Sequence, residues 1–205
     1  MDGRRALAGI ALAAGTYAGY RRWQTRWGAT AEEVGRPLPG DELVDRPWFD
    51  ATNVVEIAAE PEQVWPWLAQ MGAYGRGGWY SYDRFDNAGR PSADRVVPEL
   101  QDLRVGDVLA TSPDGSGFVA RRVEPGRCLV LEIRAPEASI SSAFVLDRVA
   151  PGRTRLINRV RYRFRPTPRT LPLAIAMDVG HFVMARRMLL GIRGRAEALA
   201  RRTHE

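Results

Sequence analysis

Cysteine and histidine are scarce in this chain of 205 residues, and lysine is absent. The single cysteine, Cys128, excludes an intramolecular disulfide framework and a cysteine-rich zinc site, and it fits a reducing compartment. The two histidines, His181 and His204, argue against a histidine-based metal centre. The sequence also lacks a phosphate-binding loop, a dinucleotide fingerprint and a nucleophile elbow. We therefore expect no metal and no cofactor.

The chain also lacks a long, strongly apolar run. Residues 6–20 carry no charge, but nine of these residues are alanine or glycine. A helix of this length covers about 22 Å, short of the roughly 30 Å apolar core of a bilayer. The flanking arginines leave three interpretations of residues 1–25 open: a membrane anchor or membrane-surface helix, a cleaved export signal, or an ordinary N-terminal helix. If the segment spans, Arg21, Arg22 and Arg26 favour a cytoplasmic globular part at the inner face of the membrane.

Composition places the rest of the chain among globular proteins of one domain. Hydrophobic residues make up 45% and charged residues 26% of the sequence. All basic residues are arginine, and they are concentrated in residues 1–27 and 153–205, whereas residues 28–152 carry 20 acidic residues against 12 arginines. The basic ends could meet an anionic membrane surface, but no nucleic-acid recognition motif accompanies them, so we expect no nucleic-acid partner.

The order of local patterns predicts an α+β domain. Residues 26–51 contain several prolines and glycines, which predicts an irregular lead-in segment that we call the arm. The domain proper, 52–205, begins with a strand at 52–59 and a short helix at about 61–71. Turn signals then separate strands at about 107–112, 116–123, 127–134, 139–147 and 153–165, which predicts an antiparallel meander. A long helix from about 171 to 202 ends the chain.

Two elements indicate which residues face the interior. In the last strand, six arginines from Arg153 to Arg165 occupy odd-numbered positions, which predicts that one face of the strand lies in water. The even-numbered residues, among them Asn158, Val160 and Tyr162, are predicted to face inward. An inward Asn158 needs a hydrogen-bond partner from the backbone, water or a ligand. On the C-terminal helix, one stripe gathers Met177, His181, Met184 and Met188.

The segment 72–106 is long and rich in glycine and aromatic residues, which is typical of functional or partly helical loops. Its aromatic side chains suit the wall of an apolar pocket. It also holds five carboxylates, of which Asp83 could form an acid/base pair with His181 if the fold brings the two together. The alternative is that these acids cap short helices and pair with neighbouring arginines.

Several stretches resemble an uncharacterised bacterial subgroup of the SRPBCC superfamily, which includes START-like domains and polyketide cyclases. They are residues 26–30 (RWGAT), 36–43 (RPLPGDEL), 64–72 (VWPWLAQMG), 77–83 (GGWYSYD), 93–99 (ADRVVPE) and 180–184 (GHFVM). The resemblance covers nearly everything from residue 26 onward. It implies the helix-grip fold, in which a curved antiparallel β-sheet is wrapped around a long C-terminal α-helix with an internal hydrophobic cavity.

This resemblance and the inward-facing pattern together predict a set of ligand-binding residues. They are Trp67, Trp79, Tyr80, Tyr82, Phe144, Asn158, Tyr162, Met177, His181 and Met184.

Three functions remain open at this stage, because one fold supports many activities. The first is binding of a hydrophobic small molecule or lipid without turnover. The second is a cyclase or dehydratase in which His181 or Asp83 is the general acid or base and Tyr82 or Asn158 orients a carbonyl. The third is a partner-binding module at the cell envelope, with a closed cavity and basic ends that engage anionic lipid.

Overall fold

A single six-stranded antiparallel sheet organises the molecule. The structure is a computed structural model that describes residues 2–136, 138–164 and 170–203. The strands are β1 (Phe49–Ile57), β2 (Val108–Ala110), β3 (Gly117–Glu124), β4 (Cys128–Ala135), β5 (Ala138–Ala150) and β6 (Arg153–Phe164). Their order in the sheet is β1-β6-β5-β4-β3-β2, so the first strand pairs with the last and the other strands form a meander. All six predicted strands are present.

Five helices accompany the sheet in the described part of the chain. They are α1 (Asp2–Gln24), α2 (Ala31–Gly35), α3 (Pro61–Ala69), α4 (Asp83–Asp86) and α5 (Thr170–Thr203), with short 3-10 turns at Asp41–Leu43 and Pro98–Leu100. The helix α3 begins with Pro61, where the missing N–H is harmless, and it ends two residues before the predicted boundary. The predicted helix-grip fold, with α5 across the sheet, is confirmed.

The buried face of α5 explains how the helix is held. Its buried side chains recur every three or four residues: Phe182, Ala185, Leu189, Ile192, Ala196 and Ala200. The last four join one hydrophobic core with Leu129, Leu131 and Leu156 of the sheet and with Trp67 and Leu68 of α3, whereas Phe182 packs on Trp23 and Trp27. Alanine at the last two positions lets the helix approach α3 and the sheet closely.

Two glycines of α5 predict opposite effects of the same substitution. A Cβ at Gly191 would lie 2.3 Å from the carbonyl oxygen of Tyr80, whereas nothing lies within 4 Å of a Cβ at Gly194. We expect Gly191→Ala to lower the free energy of unfolding by about 2 kcal/mol, because the backbone must move apart. We expect Gly194→Ala to raise it by about 0.5–1 kcal/mol through helix propensity. Urea denaturation of both variants measures the free energy of unfolding. Equal changes in the two variants would contradict the close approach of Gly191 to the Tyr80 carbonyl oxygen.

The middle of the arginine face of β6 is covered, so the prediction that this face lies in water was wrong there; Arg153 and Arg163 near its two ends are exposed. The segment between α1 and β1 crosses and covers the middle part. Arg159 is 4% exposed and donates to the carbonyl oxygens of Glu33, Val34 and Arg36. Arg155 pairs with the Glu33 carboxylate at 2.6 Å. Guanidinium groups can satisfy many carbonyls at once, so an irregular arm becomes an ordered layer. Arg165 lies outside the described residues.

The helix α1 is joined to α5 through one buried carboxylate. Asp178 accepts hydrogen bonds from Tyr17 Oη, from Arg21 Nε at 3.0 Å and from Gln24 Nε2 at 3.4 Å. Beyond the helix, the carbonyls of Thr25 and Trp27 accept from the N–H groups of Thr52 and Val54 on the edge strand β1. The C-terminal part of α1 is therefore integrated into the fold.

Among the described residues, none of the helices combines the length and the apolar content that a membrane span requires. The division into segments 1–25, 26–51 and 52–205 and the contact of residues 1–25 with a membrane surface stay predictions.

Candidate ligand-binding cavity

A cavity of about 380 Å³ lies between the concave side of the sheet and α5. Its walls come from four strands, from α4 and the segment before it, and from α5. The lining residues are Trp79, Ser81, Phe85, Asp86, Thr111, Phe118, Leu131, Ile133, Ile140, Ser142, Phe144, Asn158, Val160, Tyr162, His181, Met184, Ala185 and Met188. Phe85, Thr111 and Met184 are its exposed lining residues, which places the opening between α4, the end of β2 and α5.

Asn158 brings a polar edge into this mostly apolar space. It lies on β6 opposite Phe144 of β5, on the side of the sheet that faces α5. Its Nδ2 donates to Ser142 Oγ at 3.1 Å and to the carbonyl oxygen of Ala143 at 3.2 Å. Its Oδ1 is buried and accepts no hydrogen bond from any described residue. The amide is therefore held by one end and has a free acceptor at the other.

Tyr162 lies four residues further along β6, on the same face. Its ring stacks on Phe49 with centroids 4.5 Å apart, which fixes its orientation. The hydroxyl oxygen is buried and has no hydrogen-bond partner within the described ranges. Burial, together with the negative charge of Asp178, raises the pKa of Tyr162, so the phenol stays protonated and can both donate and accept.

His181 enters the cavity from α5. Its ring meets Phe49 edge-on at 5.2 Å, so Phe49 packs on both His181 and Tyr162. The Nε2 atom is buried without a partner in the described structure. Burial lowers the pKa of His181 to about 4, and the nearby Asp178 carboxylate opposes this only in part. At neutral pH the imidazole is uncharged.

Asp86 is the acid that lines the cavity. It belongs to α4, and neither carboxylate oxygen has a hydrogen-bond partner among the described residues. Burial raises the pKa of Asp86, and the neighbouring Asp83 carboxylate adds to this. The sequence marked Asp86 only as one of five acids in the aromatic segment, because a loop has no periodicity from which a side-chain direction can be read.

The structure brings together six of the ten residues predicted to bind a ligand. Trp79, Phe144, Asn158, Tyr162, His181 and Met184 line the cavity. Trp67 and Tyr80 lie deeper in the core, where their rings meet at 6.1 Å. Tyr82 lies at the surface beneath Arg187. The side chain of Met177 lies outside the described part of the structure.

Asp83, the predicted acid or base, does not line the cavity that holds His181. It accepts hydrogen bonds from the backbone N–H and the hydroxyl of Ser92. These bonds close the loop after α4, which is the structural alternative that the sequence left open. The acid–histidine arrangement that the cavity does contain is Asp86 with His181.

Comparisons with known proteins add structural similarity only. No family model matches the chain, and no curated protein matches it. A protein from Chromobacterium violaceum is 14% identical with a TM-score of 0.44, over 72% of this chain and 96% of that one. The Zhui aromatase/cyclase from a Streptomyces species is 18% identical with a TM-score of 0.44, over 73% and 93%. A START superfamily protein from Mycobacterium smegmatis is 12% identical with a TM-score of 0.42, over 73% and 98%.

The chain is therefore an α+β protein of the helix-grip class with an internal cavity. This assignment follows from its own strand order and from α5 lying across the sheet. The helix-grip fold that the sequence resemblance implied is therefore present in this chain.

Proposed function

We propose that the cavity binds a compact, uncharged hydrophobic molecule that carries hydrogen-bonding groups. The observation that carries this proposal is the set of buried polar atoms without partners among the described residues: Asn158 Oδ1, Tyr162 Oη, His181 Nε2 and the Asp86 carboxylate. Buried polar groups in folded proteins are nearly always paired, and each unpaired one costs about 1–3 kcal/mol. A ligand whose polar groups meet these atoms would recover that free energy.

The charge of the lining favours a neutral ligand. Among the described residues that line the cavity there is no arginine, and the histidine His181 is uncharged at neutral pH. A carboxylate or phosphate buried here would meet no compensating charge, and burial of an unpaired charge is costly. The volume of about 380 Å³ lies toward the lower end of the roughly 300–1,000 Å³ range of ligand pockets. These features favour a compact neutral molecule over a lipid with a charged headgroup.

The test is to identify what the full chain carries. We expect the purified protein, denatured in organic solvent, to release one enriched neutral compound with hydroxyl or carbonyl groups, detected by mass spectrometry. An unrelated protein purified in the same way is the control. An enriched anionic lipid would contradict the charge argument, and a protein that releases nothing beyond the control would contradict ligand binding.

A second candidate function, acid–base catalysis on the bound molecule, is favoured by one specific observation. An uncharged imidazole and a carboxyl group line the same cavity, and both are groups that can exchange a proton with a bound molecule. The extraction experiment separates the two functions. A compound released unchanged after prolonged incubation with the protein supports binding alone, and conversion that falls about 100-fold or more in His181→Ala supports catalysis.

A further inference from the structure

Large apolar side chains surround the opening of the cavity and face solvent. We call Tyr82, Phe85, Val183 and Met184 the mouth patch. Phe85 is 79% exposed and Val183 is 47% exposed, and the other two are also exposed. The hydroxyl of Ser81 donates to the carbonyl oxygen of Met184 at 3.1 Å, so α4 and α5 present these side chains as one surface. Clustered exposed apolar residues of this kind mark an interaction site.

A further exposed aromatic side chain lies where α1 meets α5. Trp23 is 53% exposed, and its ring packs on Phe182 of α5 with centroids 4.9 Å apart. Phe182 is itself buried and directly precedes Val183 of the mouth patch. Trp23 therefore adds an exposed apolar side chain at the C-terminal end of α1, beside α5.

Exposed arginines accompany the mouth patch on α4, just after it and on α5, and none of them has a carboxylate within 4 Å among the described residues. They are Arg84, Arg90, Arg186 and Arg187. Arg22 and Arg26, at the end of α1, are also exposed but line a different groove together with Asp50 and Thr52. The guanidinium of Arg187 lies over the ring of Tyr82 at 6.0 Å, and that of Arg186 lies over Trp27 at 5.3 Å. The two acids of α4 offset only part of this charge: Asp83 lies in the groove that Arg187 also lines, and the carboxylate oxygens of Asp86 are buried.

We infer that this face docks on an anionic membrane surface, with the opening of the cavity turned toward the bilayer. Aromatic side chains with polar tips settle at the headgroup level, and aliphatic ones enter the acyl boundary. Arginines next to an anionic leaflet contribute electrostatic attraction that falls with salt. The inference extends membrane contact from residues 1–25 to α4 and α5. It does not depend on the ligand-binding function, although a membrane at the opening gives a hydrophobic ligand a route that avoids water.

The experiment is co-sedimentation of the full chain with vesicles of phosphatidylcholine alone and of phosphatidylcholine mixed with phosphatidylglycerol. We expect binding to the anionic vesicles, little to the neutral ones, and loss of binding at high salt. Val183→Glu and Arg187→Glu should each weaken binding about fivefold or more. The matched controls are Val105→Glu, at a valine that is 64% exposed before β2, and Arg201→Glu, at an exposed position near the end of α5. Both controls should bind like the wild type.

Two results would overturn the inference. The first is a wild-type chain that does not sediment with anionic vesicles. This result is also the one expected if the face binds a protein and not a membrane. The second is binding that Val183→Glu and Arg187→Glu leave unchanged while Arg22→Glu abolishes it, since contact would then be confined to α1. Neither Val183 nor Arg187 lines the cavity, so solvent extraction of the same variants tests ligand binding separately.

Discussion

Replacing Arg159 with alanine is expected to lower the free energy of unfolding by about 3 kcal/mol or more. The side chain is almost fully buried under the arm and makes five hydrogen bonds. Nη1 lies 2.8 Å from the Asp41 carboxylate, and Nε donates to Thr52 Oγ1 at 3.0 Å. The remaining bonds go to backbone carbonyls of the arm. Alanine removes all five donors at once and leaves those acceptors unpaired against the sheet.

The control for this variant is Arg153→Ala, on the same strand and the same face. The Arg153 side chain is 62% exposed, and its contact with Glu56 at 3.3 Å is a surface ion pair. We expect a loss below about 1 kcal/mol there. Urea denaturation monitored by tryptophan fluorescence measures both variants. If Arg159→Ala lost no more stability than Arg153→Ala, the arm would not be an integral layer of the fold.

Lowering the pH from 7.5 to 5 is expected to destabilise the protein by about 2 kcal/mol through His181 alone. The pKa of His181 is about 4 in the folded chain, below its ordinary value of 6.5. Between these two values the unfolded chain binds a proton that the folded chain does not. The stability that the neutral imidazole contributes is therefore complete above about pH 6.5 and is lost as the pH falls toward 4.

The variant His181→Leu isolates this effect. Burial raises the pKa of Asp50 and of Asp86, so these two carboxyls favour the folded state as the pH falls and act in the opposite direction. Both are unchanged in the variant, so the difference between the wild type and His181→Leu reports on His181. Urea midpoints at several pH values measure it. Parallel pH profiles for the two proteins would show that His181 is not buried as a neutral side chain.

The fold could be predicted from the sequence because its elements carry strong local signals. The alternation in β6, the Pro-Gly turn signals and the length of the C-terminal helical pattern each specify an element without long-range information. Parity in β6 separates two faces, but it does not say what covers them. The arm contains prolines and glycines and has no periodicity, so its layer over Arg155, Arg159 and Arg161 could not be predicted from local patterns.

The same distinction applies to the cavity. Asn158, Tyr162 and Phe144 lie on strands and His181 and Met184 on a helix, so periodicity could place them on the inner face. The loop residues could not be placed in that way. Tyr80 adopts a left-handed conformation with φ of 57°, which helps decide which side chains of the segment turn inward. Tyr80 consequently packs in the core and Tyr82 at the surface, while Asp86 takes a place at the cavity.

The central claim is that a ligand occupies the cavity between the sheet and α5. The most direct test measures the amount of compound recovered per protein from a variant in which a larger side chain fills this cavity. Ala185 is buried and lines the cavity, so Ala185→Phe places a ring in that space. Val149→Phe, at an exposed position of β5, is the matched control. We predict near-equimolar recovery from the wild type and Val149→Phe, and recovery at least about tenfold lower from folded Ala185→Phe. Equal recovery from all three folded proteins would show that the ligand does not occupy this cavity.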